Sequence, residues 1–137
     1  ITEHWGGEPS PVKDREAAVK LIKAMQEYRK GYAKKYLYNG KMTKPLDIEC
    51  GTNEIALDCG YVYEAPEIFT SCWISDEGKT GQIFANYNDK CVEVTVNTSQ
   101  SINIISNTGE IVKTIAPEDG RCTFCIDGCS VALAEFI

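Results

Sequence analysis

The chain has 137 residues, 43% of them hydrophobic and 25% charged, with a net charge of −6 and a sequence pI of 4.8. That length supports one domain with a hydrophobic core and is too short for two ordinary ones. No run approaches the roughly 18 apolar residues of a membrane-spanning helix, and the acidic balance argues against nucleic acid as a partner.

Residues 1–9, with Trp5-Gly6-Gly7, read as a loop or a strand end. Ser10-Pro11 then starts a helix: the hydroxyl caps free backbone N–H groups, and proline at the first helical position loses nothing by lacking its own. From Ser10 to Tyr38 the pattern is helical. Ala18, Leu21, Ile22, Met25, Tyr28, Tyr32 and Tyr36 recur every three or four residues, and Ala33 and Leu37 widen this apolar face. Such an aromatic stripe is ordinary core packing, and so wide a face must dock on something. Gly31 in its middle marks a close approach to a neighbour, and Asn39-Gly40 supplies a left-handed stop.

Charge is divided unevenly. Residues 10–39 carry eight Lys or Arg and three Asp or Glu, a balance of +5; residues 40–137 carry six and fifteen, a balance of −9. A positive helix lying on a negative domain is the expected consequence.

From Lys41 the period changes to two. Strands are expected at residues 42–49, 54–58, 67–75, 80–86, 91–97, 102–106, 111–115, 121–126 and 130–136, separated by turns rich in Gly, Asn and Asp. Short strands at near-regular spacing predict a mainly β fold. The expected architecture is an antiparallel two-sheet β-sandwich of eight or nine strands, preceded by one long N-terminal helix packed on it. Residues 1–40 form the leading loop and helix, and residues 41–137 the sandwich.

Little in the chain suggests chemistry. Cys122-x-x-Cys125-x-x-x-Cys129 has the look of a partial zinc or redox site. If Asp127-Gly128 is a two-residue hairpin turn, Cys122, Phe124 and Ile126 share the inner face while Cys125 points away. Ligands of one tetrahedral metal cannot lie on opposite faces of a strand, so no metal is expected. The odd count of seven cysteines suggests reduced thiols in a cytoplasm, with a secreted, partly bridged chain as the alternative. His4 is the only histidine, which excludes most nucleophilic catalysts unless they use it. No Gly-rich loop opens a helix after a strand, so no nucleotide cofactor is expected. Trp5, Tyr61, Tyr63, Trp73 and Tyr87 are the side chains suited to stacking on sugars. Of these, Trp73 belongs in the core by its alternation with Phe69 and Ser71, and Tyr87 belongs at an exposed hairpin tip.

Two stretches carry a family resemblance. Residues 29–42, RKGYAKKYLYNGKM, followed by Pro45-Leu46, look like the segment joining the last barrel helix to the sheet domain in certain bacterial glycosidase-like proteins. Residues 71–89 are similar to the W-x-x-x-(D)G-x-x-G-x-x-x-A-N-x-x-D pattern of their C-terminal β-sandwich. The resemblance implies that a (β/α)8 barrel upstream carries the chemistry and that this chain holds its last helix and its accessory sandwich. It implies a packing role for Trp73, turn roles for Gly78 and Asn86, and no catalytic residue. If Thr2 to Gly7 follows the last barrel strand, Glu3, His4 and Trp5 would reach the rim of a sugar pocket in the intact protein, as loops at that barrel face do, the alternative being a Trp5 buried between domains.

The expected function is therefore a non-catalytic domain that stabilises or orients the barrel of a glycoside hydrolase, this chain being no enzyme by itself. The alternative is a carbohydrate-binding module using exposed aromatics, with His4, Trp5 and Tyr87 as candidate contacts. The expected partners are the upstream barrel and a carbohydrate, with no nucleic acid, membrane, metal or cofactor. Ile1 opening in mid-phrase fits an excised or processed chain.

Overall fold

The computed structural model describes residues 12–137, with side chains from Arg15 onward. Helix α1 spans Val12–Lys30 and a short helix α2 spans Lys34–Leu37. The strands are β1 (Lys41–Thr43), β2 (Ile48–Glu49), β3 (Thr52–Ala56), β4 (Val62–Pro66), β5 (Ile68–Ile74), β6 (Thr80–Asn86), β7 (Val92–Asn97), β8 (Ile102–Ile105), β9 (Ile111–Ile115), β10 (Arg121–Ile126) and β11 (Ser130–Phe136). The mainly β fold with one long helix is as expected. The helix start expected at Ser10-Pro11 lies outside the described residues.

All strand pairs are antiparallel. A six-stranded sheet runs β1-β5-β6-β11-β8-β9, a three-stranded sheet runs β10-β7-β2, and β3-β4 form a separate ribbon. Between the two larger sheets lies the main core, which includes Ile68, Phe84, Val92, Val94, Val96, Ile102, Phe124 and Ile126. Phe84 and Phe124 meet edge to face at 5.3 Å across it. Full burial of each such side chain contributes about 1.5–3 kcal/mol. The sequence shows this directly in β7 and β10, where every second residue is buried: Val92, Val94 and Val96 in one, Cys122, Phe124 and Ile126 in the other.

Strand β11 differs. Val131 to Glu135 are all buried, because a sheet covers one face and the helix the other. Ala132 and Ala134 face the main core, while Leu133 joins Ala33, Tyr36 and Ile105 in a second cluster beneath the helix. The near-continuous apolar run Val131-Ala132-Leu133-Ala134 follows from burial on both faces.

Four local expectations need correction. The segment from Met42 to Glu49 is two strands in different sheets, since β1 pairs with β5 and β2 with β7. The chain crosses between sheets around Pro45, which has no N–H for a ladder. The buried Gln82 side chain meets the crossing, accepting from the Leu46 N–H at 3.1 Å and donating to the Leu46 carbonyl at 3.2 Å. Second, β10 and β11 do not form a hairpin: β10 pairs with β7, whereas β11 pairs with β6 and β8. The expected alternation of Cys122, Phe124 and Ile126 inward and Cys125 outward nevertheless holds. Alternation within a strand does not depend on which partner it has. Third, β4 was not expected, and it closes the β3–β4 ribbon through a turn at Gly60 (φ +83°). Fourth, the left-handed glycines among the described residues are Gly60, Gly78, Gly109 and Gly120, so Gly40 does not end the helix that way. A side chain at Gly40 would meet the carbonyl oxygens of Tyr36 and Ile74 at 2.5 and 2.7 Å, so close approach explains this glycine.

The helix is also not continuous. Between α1 and α2 the Tyr32 N–H donates at 2.8 Å to the Asn107 carbonyl of the β8–β9 turn. A Cβ at Gly31 would lie 2.3 Å from that same oxygen, confirming the close approach read from the sequence. Gly31→Ala is expected to lose on the order of 1–3 kcal/mol through this clash, despite a helix-propensity gain of about 1 kcal/mol. Urea unfolding of the variant measures the balance; equal or greater stability would show that the turn yields to the methyl group.

Candidate functional site

Two features stand out on the outer face of the six-stranded sheet: the anchor that holds the helix there, and the groove beside it. The anchor is built from three tyrosines at four-residue spacing, which places them on one helical stripe. The Tyr28 hydroxyl donates to the Ile105 carbonyl at 2.9 Å. Tyr32 and Tyr36 both donate to Glu135 Oε1, at 2.7 and 2.6 Å. Lys35 Nζ donates to the Tyr32 hydroxyl at 2.8 Å and lies 3.4 Å from the same carboxylate oxygen. Glu135 was not singled out by the sequence. The available signal was a lone carboxylate after four apolar residues of one strand.

Burial works against a charged Glu135. Hydrogen bonds from Tyr36 and Tyr32 and the ammonium of Lys35 outweigh it and hold the carboxyl below its ordinary range. Burial pushes the Tyr36 phenol up, and its bond to the carboxylate pushes it further. For Lys35, desolvation favours the neutral form, but the Tyr32 bond and the Glu135 charge prevail and raise its pKa. Among the described residues Lys35–Glu135 is the single ion pair. The expected positive-on-negative docking of the helix therefore reduces to one buried contact, with aromatic packing doing the rest.

This arrangement is a fastening. Its polar groups are satisfied by one another, and the one acid present is held ionised by phenols and an ammonium. A carboxylate whose folded pKa lies below its unfolded value stabilises the fold above that unfolded value, and the contribution is lost as pH falls through the folded pKa. Glu135→Gln is expected to cost about 2 kcal/mol at pH 7. The gap to the parent chain should close as pH drops below the ordinary carboxylate value of 4.5. Denaturant unfolding at pH 7 and pH 3 tests this; a cost that does not change with pH would remove the charge from the account.

Beside the anchor, α1 and the sheet enclose a groove of about 320 Å³. Met25 and Tyr28 line it from α1, Leu37 from α2, and Phe69, Ile83 and Val131 from the sheet. Its walls are apolar, apart from Gln26, Arg29, Thr70 and Ser71. The stripe predicted to dock joins the buried cluster only from Tyr28 onward, although Leu21 is also half-buried. Ile22 and Met25 stay 57% and 48% exposed, and Val19, one turn earlier, 62%.

Trp73 is half-buried against the helix cluster, outside the inter-sheet core, and its Nε1 donates to Ser71 Oγ at 2.9 Å. Tyr87 is half-buried as well. Its hydroxyl donates to the Pro66 carbonyl at 2.7 Å and accepts from Asn53 Nδ2 at 2.9 Å, and its ring tilts against Phe69 at 5.3 Å. Glu3, His4 and Trp5 lie outside the described residues, so no geometry joins them to Tyr87. Tyr61 and Tyr63 are well exposed on the β3–β4 ribbon. Gly78 occupies a turn, with φ +82°, whereas Asn86 is the buried last residue of β6 and not a turn residue; its amide donates to the carbonyls of Lys90, Ile126 and Asp127. Among the described residues, no three His, Cys, Asp or Glu side chains gather as a metal site requires, and no helix is long and apolar enough to cross a membrane.

No protein family's sequence profile matches the chain, and no curated protein is similar to it in sequence. Among solved structures it is similar to CelM2, a bifunctional glucanase-xylanase from a metagenome library. That match has a TM-score of 0.43 and 11% identity, and covers 56% of this chain and 17% of that one. An Anoxybacillus alpha-amylase matches with a TM-score of 0.41 and 13% identity, over 64% of this chain and 18% of that one. The chain thus spans less than a fifth of the length of either. Likeness at this level assigns no activity.

Proposed function

We propose that this chain is a non-catalytic accessory domain of a glycoside hydrolase, docking on the catalytic barrel through the exposed half of α1 and the adjoining groove. Residues 1–40 then belong to the end of the barrel, and residues 41–137 are the sandwich that steadies it. The supporting observation is the half-docked helix. Ile22 and Met25 continue the stripe that carries Tyr28, Tyr32 and Tyr36, yet both remain about half exposed. Contiguous apolar surface of this kind marks a contact with another body.

Charge narrows the partner. Arg15, Lys20 and Lys23 flank Val19 on the exposed half of the helix with Glu16 as the one acid among them, and none of the three bases has an ion-pair partner among the described residues. The matching surface has an apolar centre and an acidic rim. The glycosidase assignment of that partner rests on the resemblance at residues 29–42 and 71–89.

In the protein encoded by the complete reading frame, Ile22→Asp combined with Met25→Asp is expected to split one cooperative melting transition into two. The isolated chain should keep its stability to within about 0.5 kcal/mol, because both positions are exposed in it. An intact protein that melts identically with and without the two substitutions would sink the proposal.

One observation favours the second reading, a carbohydrate-binding module: Tyr61 and Tyr63 present exposed rings on the β3–β4 ribbon, which pairs with neither larger sheet. Flat aromatic faces suit the C–H face of a pyranose. Calorimetric titration of the isolated chain with oligosaccharides should then show binding that Tyr61→Ala and Tyr63→Ala each weaken on the order of tenfold, about 1.4 kcal/mol. Absence of heat at millimolar saccharide removes this reading and leaves the first untouched.

A further inference from the structure

Cys91 and Cys125 stand apart from the core thiols. Both are exposed, whereas Cys72, Cys122 and Cys129 are buried. The ladder between β7 and β10 fixes where they lie: Cys125 sits opposite Glu93, and Ile126 opposite Val92. Side chains alternate along each strand, so Cys125 and Glu93 point outward while Val92, Phe124 and Ile126 enter the core. Cys91, one residue before β7, continues the outward set diagonally across from Cys125. Diagonal neighbours on one face lie about 7–8 Å apart, closer at Cβ, and here the two thiols are near enough to interact directly. The Cys91 thiol registers that proximity: desolvation raises its pKa, and the Cys125 thiol and the Asp127 carboxylate raise it further.

We propose that Cys91 and Cys125 form a reversible dithiol–disulfide site on the outer face of the three-stranded sheet, oxidised by exchange with a low-molecular-weight disulfide such as oxidised glutathione. One protein thiolate attacks a sulfur of the small disulfide and expels a small thiolate, leaving a mixed disulfide. The second protein thiolate attacks the protein sulfur of that bond, and the other small thiolate leaves. Two protein S–H bonds become one S–S bond, and the small disulfide takes up two electrons and two protons as two thiols.

The site lies where several connections meet. The Asn86 amide donates to the carbonyls of Lys90, Ile126 and Asp127, so it ties the β6–β7 turn to the end of β10. A bond from Cys91 to Cys125 straps the same two segments from the solvent side. Oxidation closes a loop of chain from residue 91 to residue 125 and stiffens this end of the sandwich. Because both thiols are exposed, the bond forms and breaks without opening the core.

The test incubates the full chain with oxidised glutathione, blocks remaining thiols with iodoacetamide and maps peptides by mass spectrometry. The expected product is an intramolecular Cys91–Cys125 link that dithiothreitol removes. It should raise Tm by roughly 5 °C or more. Cys91→Ser and Cys125→Ser should each abolish both effects, while Cys59→Ser, at the third exposed thiol, should abolish neither. Free alkylation or stable glutathionylation of Cys91 and Cys125 overturns the site, as does a link to Cys59 or to a second chain. A correct link with no change in Tm overturns the strap.

Discussion

Strand β11 has to satisfy two cores at once, and the rest of the molecule is arranged around that constraint. One face meets the inter-sheet core through Ala132 and Ala134; the other meets the helix through Leu133 and Glu135. Small residues on the first face let the bulky side chains of the opposing sheet, Phe124 among them, approach closely. On the second face an apolar surface alone would let the helix settle in several registers. Glu135 removes that freedom, because a buried carboxylate is tolerated only where its donors stand.

The donors are supplied by a helix that is itself reshaped to deliver them. The Asn107 carbonyl pushes into the backbone at Gly31 and takes the Tyr32 N–H, which splits the helix in two. Gly81 in β6 then leaves room for the Tyr36 ring, which lies 2.8 Å from where a Cβ would be. Tyr36 can therefore sit fully buried against the sheet with its hydroxyl on Glu135. Close packing, a broken helix and a charged anchor are parts of one solution.

Beyond the anchor the helix runs past the sheet with its apolar stripe uncovered. Under the proposed docking, the exposed half of this helix would be the contact surface, and its basic flank would give that surface a charge preference. The anchor fixes the helix on the sheet through Tyr28, Tyr32 and Tyr36, so the proposed docking would meet a surface already ordered.

The change of period at Asn39-Gly40, the turns rich in Gly and Asn, and the outlines of most strands were legible because alternation and turn chemistry are local properties. The inward set of Cys122, Phe124 and Ile126 was legible for the same reason, even with the wrong strand partner assumed. What no local pattern carries is which strand lies beside which. The crossing at Pro45, the separation of β10 from β11 and the placing of Cys125 opposite Glu93, diagonal to Cys91, all depend on sheet order. The role of Glu135 depends on two hydroxyls about a hundred residues earlier in the chain. Those contacts exist only once the sheets have closed, because the free energy that keeps a carboxylate ionised there comes from donors that sequence proximity does not supply.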